Sequence, residues 1–345
     1  MKKVLFFINS PTPYQLEFFE YLSKIINLKV IFHDKKLKNY NFTYNKKNYL
    51  LFLNGSKIKK KFFINSLIER FKPDFIIFGG YKLNFTSFII NICNVKGIKF
   101  LFWLEKIYFK NSLKKILLNL YFKLYLKKSS GILAVGEEAK KFYKKYNKNT
   151  INFHYSIKIK KKINKNFFHK KKINFLYVGQ FIERKNILNL LRAFRNINHE
   201  NATLTLIGEG GLKSKMNFLS NDDKRIKILN FKNDKFLKKY YKNSDVFILP
   251  SKYDGWGVVI MEAMSYKCAV IVTNSSGVSN EFIKNNYNGK IIGTTVPDIM
   301  QSIKYYINYK NKIISHGRIN KLKISKSDAN SEIAANKLKK FLHNI

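Results

Sequence analysis

VFILPSKYDGWGVVIMEAMSYKCAVIVT, residues 246–273, decides how the rest of the chain is read. Val246 to Leu249 is a short apolar run of the kind that forms a strand buried on both faces. Pro250 to Gly257 is a polar loop, and Val258 to Met264 opens a helix whose first amides lack partners within the helix and face that loop. Val270 to Thr273 returns to an apolar strand. An exposed helix start of this kind attracts phosphate. Two carboxylates, Asp254 and Glu262, stand on either side of Gly255, Trp256 and Gly257.

The same alternation runs outward in both directions. In the first half it predicts strands at Lys3 to Ile8, Leu28 to His33, Phe75 to Phe78, Lys99 to Trp103 and Gly131 to Val135. Helices are expected at Tyr14 to Ile26, Asn84 to Val95, Ser112 to Lys127 and Glu137 to Tyr146. Between Ser156 and Lys172 the pattern lapses into a lysine-rich segment that reads as a linker. Strands then resume at Asn174 to Val178, Ala202 to Ile207, Ile226 to Ile228, Val246 to Leu249 and Ala269 to Thr273, with helices at Ile187 to Ile197, Lys235 to Asn243 and Val258 to Tyr266. The fold class is therefore α/β, with two doubly wound Rossmann-like domains: residues 1–165, residues 166–325, and a last helix at about Ser325 to His343 within 326–345.

Chemistry concentrates in the second half. Val178-Gly179-Gln-Phe-Ile-Glu-Arg184-Lys185 supplies a strand end, a glycine that lets a phosphate approach, and two adjacent cations ahead of a helix. Arg184 is one of only six arginines among 66 basic residues, and guanidinium alone offers phosphate a fixed fork. The amides of Gly257, Val258 and Val259 are expected to face phosphate or sugar, and Glu262 is a carboxylate able to accept two hydroxyl hydrogen bonds. Ile207-Gly208-Glu-Gly210-Gly211 and Asn230-Phe231-Lys232 are further loops at strand ends.

These runs resemble the signature of retaining GT-B glycosyltransferases of the family 4 type, also called glycosyl transferases group 1. The likeness lies in the acid-x7-acid spacing from Asp254 to Glu262, the G-x4-R-K run from Gly179, and Gly277-Val-Ser-Asn-Glu281. It implies two domains facing across a cleft, with the C-terminal helix crossing back to the first. Donor binding would fall to Gly179, Gly208, Phe231, Gly257, Val258, Val259 and Glu262, the last holding the nucleotide ribose. Catalysis would fall to Arg184, Lys185 and Asp254, with Asp254 gripping donor-sugar hydroxyls where most relatives carry glutamate. In the first domain, Glu105 at a strand end would assist the acceptor hydroxyl, and Thr12 and Tyr14, in the turn after the first strand, would contact the acceptor. Relatives often carry a histidine near that position, and none of the six histidines is expected at a comparable strand end. The implied substrates are a nucleotide-diphosphate-sugar and a saccharide or lipid-linked saccharide, as in bacterial cell-surface polysaccharide or glycolipid synthesis. No cofactor and no metal are expected.

Composition adds a question of partners. A net charge of +45 points to an anionic partner, yet the preference for lysine together with asparagine, isoleucine and phenylalanine also fits an AT-rich coding bias. Residues 1–172 hold 38 basic against 8 acidic side chains, so the first half is the more basic. Within it, Ile107 to Lys128 interleaves apolar residues and lysines as an interfacial helix does, which predicts peripheral attachment to an anionic membrane surface on the cytoplasmic side. A nucleic-acid-binding protein would account for the charge, but not for the carboxylate pair, and no nucleic-acid partner is expected. A non-hydrolysing nucleotide-sugar epimerase would share the fold and donor site but needs acid and base groups beside the sugar. Cys93 and Cys268 lie in apolar contexts, which argues against a disulfide framework and for a reducing cytoplasm. Val4 to Ile8 is too short for a signal sequence, and no apolar run reaches bilayer length.

Overall fold

The structure is a computed structural model that describes residues 1–34, 47–80, 84–107, 120–160, 162, 163, 165 and 172–345. It divides into two compact units, residues Met1–Lys158 with Ser331–Ile345, and residues Ile159–Asn330.

The first unit is built on a seven-stranded sheet in the order β3-β2-β1-β4-β5-β6-β7. Its strands are β1 (Lys3–Ile8), β2 (Asn27–Phe32), β3 (Leu50–Phe52), β4 (Phe75–Gly79), β5 (Lys99–Glu105), β6 (Gly131–Val135) and β7 (Thr150–Asn152). Every pairing is parallel, so both faces must be covered by helices, and the central strands are apolar on both sides. On one face α2 (Lys57–Phe71), α3 (Thr86–Lys96), a π-helical turn at Phe122–Leu126 and α4 (Glu137–Lys144) bury Ile64, Ile68, Ile89, Phe122, Leu126 and Tyr143 against Phe7, Ile76, Phe102 and Ile132. On the other face α1 (Pro13–Leu22) brings Phe18 and Phe19 into an aromatic cluster with Phe6, Trp103 and Phe153.

The second unit repeats the plan with six parallel strands in the order β10-β9-β8-β11-β12-β13. The strands are β8 (Ile173–Val178), β9 (Ala202–Ile207), β10 (Ile226–Leu229), β11 (Val246–Leu249), β12 (Ala269–Thr273) and β13 (Lys290–Ile292). Between and after them lie α5 (Ile187–Arg195), α6 (Lys213–Ser220), α7 (Asp234–Asn243), α8 (Val258–Ser265), α9 (Gly277–Phe282), α10 (Val296–Asn308) and α11 (Lys310–Lys326). In both sheets the strand order reverses beside the first strand, between β1 and β4 and between β8 and β11. The loops that leave those strands diverge and open a crevice at the carboxyl edge.

Three expectations shift. The passage between units falls at residues 158 and 159 rather than near 165, because Ile157 is still tied into the first unit by accepting from the Ser331 amide at 3.0 Å. The single helix expected from Ser325 is instead the end of α11 and a separate α12 (Ser331–Asn344), divided by a turn in which the Asn330 amide donates to Ser327. α12 packs on α1 and buries Ala334, Ala335, Leu338 and Leu342 in the first unit. Strands β3, β7 and β13 and helices α2, α9, α10 and most of α11 have no counterpart in the sequence reading. Much of the expected helix at 112–127, up to residue 119, lies outside the described residues, as do 161, 164 and 166–171 of the lysine-rich segment.

Candidate functional site

The reversal point of the second sheet gathers most of the residues singled out in the sequence. β8 ends at Val178, and the loop behind it is laced to the loop behind β9. The Gly179 amide donates to Ile207, the Phe181 amide to Glu209 at 2.8 Å, and the Leu212 amide to Phe181. A β-carbon on Gly208 would lie 1.8 Å from the Gly179 carbonyl oxygen, and one on Gly210 would lie 2.4 Å from that of Phe181. The lack of a side chain at Gly208 therefore serves the close approach of two backbones.

That lacing delivers Arg184 and Lys185 in a short 3-10 turn, Glu183–Lys185, ahead of α5. The Lys185 ammonium lies 2.7 Å from Asp254 Oδ2, with both side chains nearly covered. Arg184 donates to the Tyr253 carbonyl at 2.8 Å, holds its guanidinium 3.6 Å from Asp254 Oδ1, and accepts from the Lys252 amide through its own carbonyl. The Gly255 amide also donates to Asp254 Oδ1. Asp254 was expected to grip sugar hydroxyls. In the structure it is the counter-ion of the two cations, because its short side chain, anchored by the amide of the next residue, reaches across to the β8 loop.

Behind Asp254 the chain turns sharply into α8. Gly257 takes φ +92°, a region L side chains avoid, and precedes Val258 and Val259, whose amides open the helix with no side-chain cap. Trp256 is buried, its indole N–H donating to Met261 sulfur at 3.0 Å, and Gly277 lies so close that a β-carbon there would meet the ring at 2.2 Å. Trp256 thus packs the loop against α9. Glu262, one turn into α8, accepts a 2.8 Å hydrogen bond from the Tyr241 hydroxyl. Tyr241 is a buried residue of α7, stacked on Tyr266 and beside Phe247. Sequence reading passed over it, since nothing in spacing links positions 241 and 262. Phe231 follows β10, the edge strand, and so stands two strands from β8 rather than beside Lys185 and Asp254.

In the first unit, Glu105 is exposed at the end of β5, and its carbonyl accepts from the Tyr143 hydroxyl at 2.8 Å. The structure brings Glu105 and Tyr14 together through Tyr155, whose ring lies 5.0 Å from Tyr14 and 5.3 Å from Trp103. Burial, then the neighbouring Glu105 carboxylate, hold the Tyr155 hydroxyl well above the usual tyrosine range, so it is a hydrogen-bond donor near neutrality. Thr12 is not brought into that group by its hydroxyl, which donates to Gln15 at the start of α1. The histidine at the end of the strand expected from Leu28 to His33 stands away from Glu105. His33 follows β2, with its ring between Asp34 at 3.0 Å and Asn84 at 3.1 Å. It lies on the far side of β1 from Glu105, three strands away in the sheet order. Among the described residues no group of three or more His, Cys, Asp or Glu side chains could hold a metal ion.

Residues 158–321 match the family described as Glycosyl transferases group 1. A UDP-Gal:alpha-D-GlcNAc-diphosphoundecaprenol alpha-1,3-galactosyltransferase of Escherichia coli is 32% identical over 126 residues, which is 34% of this chain and 32% of that protein. The capsular polysaccharide biosynthesis glycosyltransferase CapH of Staphylococcus aureus is 33% identical over 144 residues, 39% of this chain and 40% of that protein. Three other curated relatives align over 32%, 59% and 46% of their own length, so the likeness spans part of each protein. Over the whole chain the fold is similar to Anabaena HepE in complex with UDP, with TM-score 0.79, 12% identity and full coverage of both chains. The second unit thus belongs to the glycosyl transferases group 1, and the two parallel-sheet units are those of the GT-B fold.

Proposed function

We propose that the chain is a retaining, metal-independent glycosyltransferase that moves a sugar from a nucleotide-diphosphate-sugar to a saccharide or lipid-linked saccharide. The observation that carries this reading is the convergence of Lys185, Arg184 and the Gly255 amide on Asp254, in the loop that leads into α8 at the reversal point of the second sheet. A site that holds one carboxylate between two cations has the charge and spacing to hold a diphosphate, with Asp254 ceding part of its contacts when the donor enters. Glu262, oriented by Tyr241, takes the ribose hydroxyls. The acceptor hydroxyl attacks the anomeric carbon on the face from which the diphosphate leaves. The carbon–oxygen bond to the diphosphate breaks with its electron pair on the departing oxygen, and the acceptor proton passes to that oxygen. Lys185, Arg184 and the amides stabilise the charge that develops there. Glu105, with Tyr155 and Tyr14 beside it, receives the acceptor.

The Escherichia coli relative's diphosphoundecaprenol substrate and the UDP held by HepE support a nucleotide donor and a lipid-linked acceptor for this chain as well. Such an acceptor is met at the cytoplasmic face of a membrane. There the segment 107–128 would provide attachment: in its described part Leu120, Leu124, Lys123 and Lys127 are exposed while Phe122 and Leu126 are buried. No described helix is long and apolar enough to cross a membrane. Incubation with UDP-, GDP- and ADP-sugars, read by donor hydrolysis and by melting temperature, tests the reading, since a ligand selective for the native state raises that temperature. The anomeric configuration of the transferred sugar tests retention. EDTA is expected to leave the rate unchanged, and activity lost with EDTA and restored by Mg2+ or Mn2+ would overturn the metal-free mechanism.

A further inference from the structure

Helix α2 opens with Lys57, Lys59, Lys60 and Lys61 and has no acidic residue in its first turn. Cations there oppose the positive end of the helix dipole, so the placement works against the helix in water. Ile64, Ile68 and Phe71, at i, i+4 and i+7, fix the inward side. With 3.6 residues per turn, Ile58 and Phe62 fall one above the other on the opposite side, with Lys61 along one flank and Lys59 along the other. They are 80% and 75% exposed. The neighbouring α3, joined to α2 by the Lys96–Glu69 ion pair and by Lys61 over the Phe88 ring, exposes Val95 as well. Leu120 and Leu124, exposed too, belong to the same helical layer, whose inward residues share one core. The layer on the other face, α1 and α12, exposes Ile333 alone among its large apolar side chains.

We infer that the outer face of this layer, centred on Ile58 and Phe62, docks on an anionic lipid surface. Two costs that the helix carries in water are relieved together there: the lysines meet negative headgroups, and the two apolar side chains leave water at the acyl boundary. A nucleic acid would satisfy the lysines but give Ile58 and Phe62 nothing. A second copy of the chain, meeting this face with the same face, would set one lysine cluster against another. The inference deepens the membrane part of the proposed function by giving it a helix and two anchoring side chains. It is tested with no donor or acceptor present, so its failure leaves the transfer reading standing, and a failed donor screen leaves this one standing.

The experiment uses the full chain with vesicles of phosphatidylcholine, alone or mixed with phosphatidylglycerol. Binding is expected to the mixed vesicles only and to weaken with salt. Ile58→Ser with Phe62→Ser should lower it about tenfold or more at unchanged melting temperature, and Lys59→Gln with Lys61→Gln should do the same. Both native tryptophans are buried, so Phe62→Trp supplies an exposed reporter whose emission should shift to the blue on the mixed vesicles. Wild-type binding by the serine pair, equal binding to neutral vesicles, or no blue shift would overturn the inference. So would a concentration-dependent dimer that the serine pair abolishes, or retention on duplex DNA but not on vesicles.

Discussion

The carboxyl edges of the two sheets share a strand order and differ in what stands on them. On the second sheet the functional side chains are tied to one another across loops, Lys185 to Asp254 and Tyr241 to Glu262. On the first sheet the corresponding edge carries an aromatic group, Tyr14 and Tyr155 beside Glu105, and a histidine set between Asp34 and Asn84. Fixed charge pairs suit a ligand part that does not vary, a ribose and a diphosphate. Aromatic faces with a few hydroxyls suit a saccharide, which is read by stacking and by neutral hydrogen bonds. One scaffold thus holds a rigid charged edge and a more adaptable one.

The sharpest way to break this contrast is to remove the charged edge. Glu262→Ala and Arg184→Ala are each expected to lower kcat/KM by roughly 100-fold or more with the fold intact, and Arg184→Lys to recover only part of it. Near wild-type turnover at saturating donor in either alanine variant would remove the site assignment. Asp254→Asn separates counter-ion from sugar-gripping roles: a pure counter-ion predicts that free nucleoside diphosphate binds a few-fold tighter, because the cations lose their competitor, while transfer falls about tenfold. Calorimetry with the nucleotide decides between them, since unchanged or weaker binding would return Asp254 to the sugar. A smaller effect is expected from Tyr241→Phe, which leaves Glu262 charged but loosely held. Donor KM should rise by about tenfold with kcat nearly kept, and combining it with Glu262→Ala should add little. Full additivity would mean that Tyr241 acts only through packing. Tyr155→Phe should change acceptor KM a few-fold and leave donor hydrolysis alone; an equal effect on hydrolysis would dissolve the distinction between the two edges.

Legibility divides along the same line. The second edge could be read because its parts lie within short sequence intervals, Gly179 to Lys185 and Asp254 to Glu262, where strand, turn and helix lengths fix who meets whom. What closes over distance could not. Tyr241 reaches Glu262 from another helix, and Thr12 turns its hydroxyl to Gln15 rather than outward. The glycines at 208 and 210 carry the same letters whatever approaches them, and only the 1.8 Å and 2.4 Å clashes show that another backbone does. Helix α2 escaped notice because its lysines occupy the first turns, where apolar periodicity would have announced it, and because Ile58 and Phe62 lie off the buried stripe. The parallel sheets were legible for the opposite reason. Strands buried on both faces read as unbroken apolar runs, whereas the edge strands β7 and β13 mix polar residues into three positions, and β3, though apolar throughout, is only three residues long.

Helix α12 carries a consequence for biosynthesis. Residues 331–345 complete the first unit, yet they leave the ribosome after the whole of the second, so the second unit is a continuous insert in a discontinuous host. The insert has all its strands in hand while α1 still awaits the helix that it packs against. The order of maturation therefore runs against the order of synthesis. A nonsense codon or protease cut just before Ser331 would spare the nearby unit and strike the one that begins at residue 1.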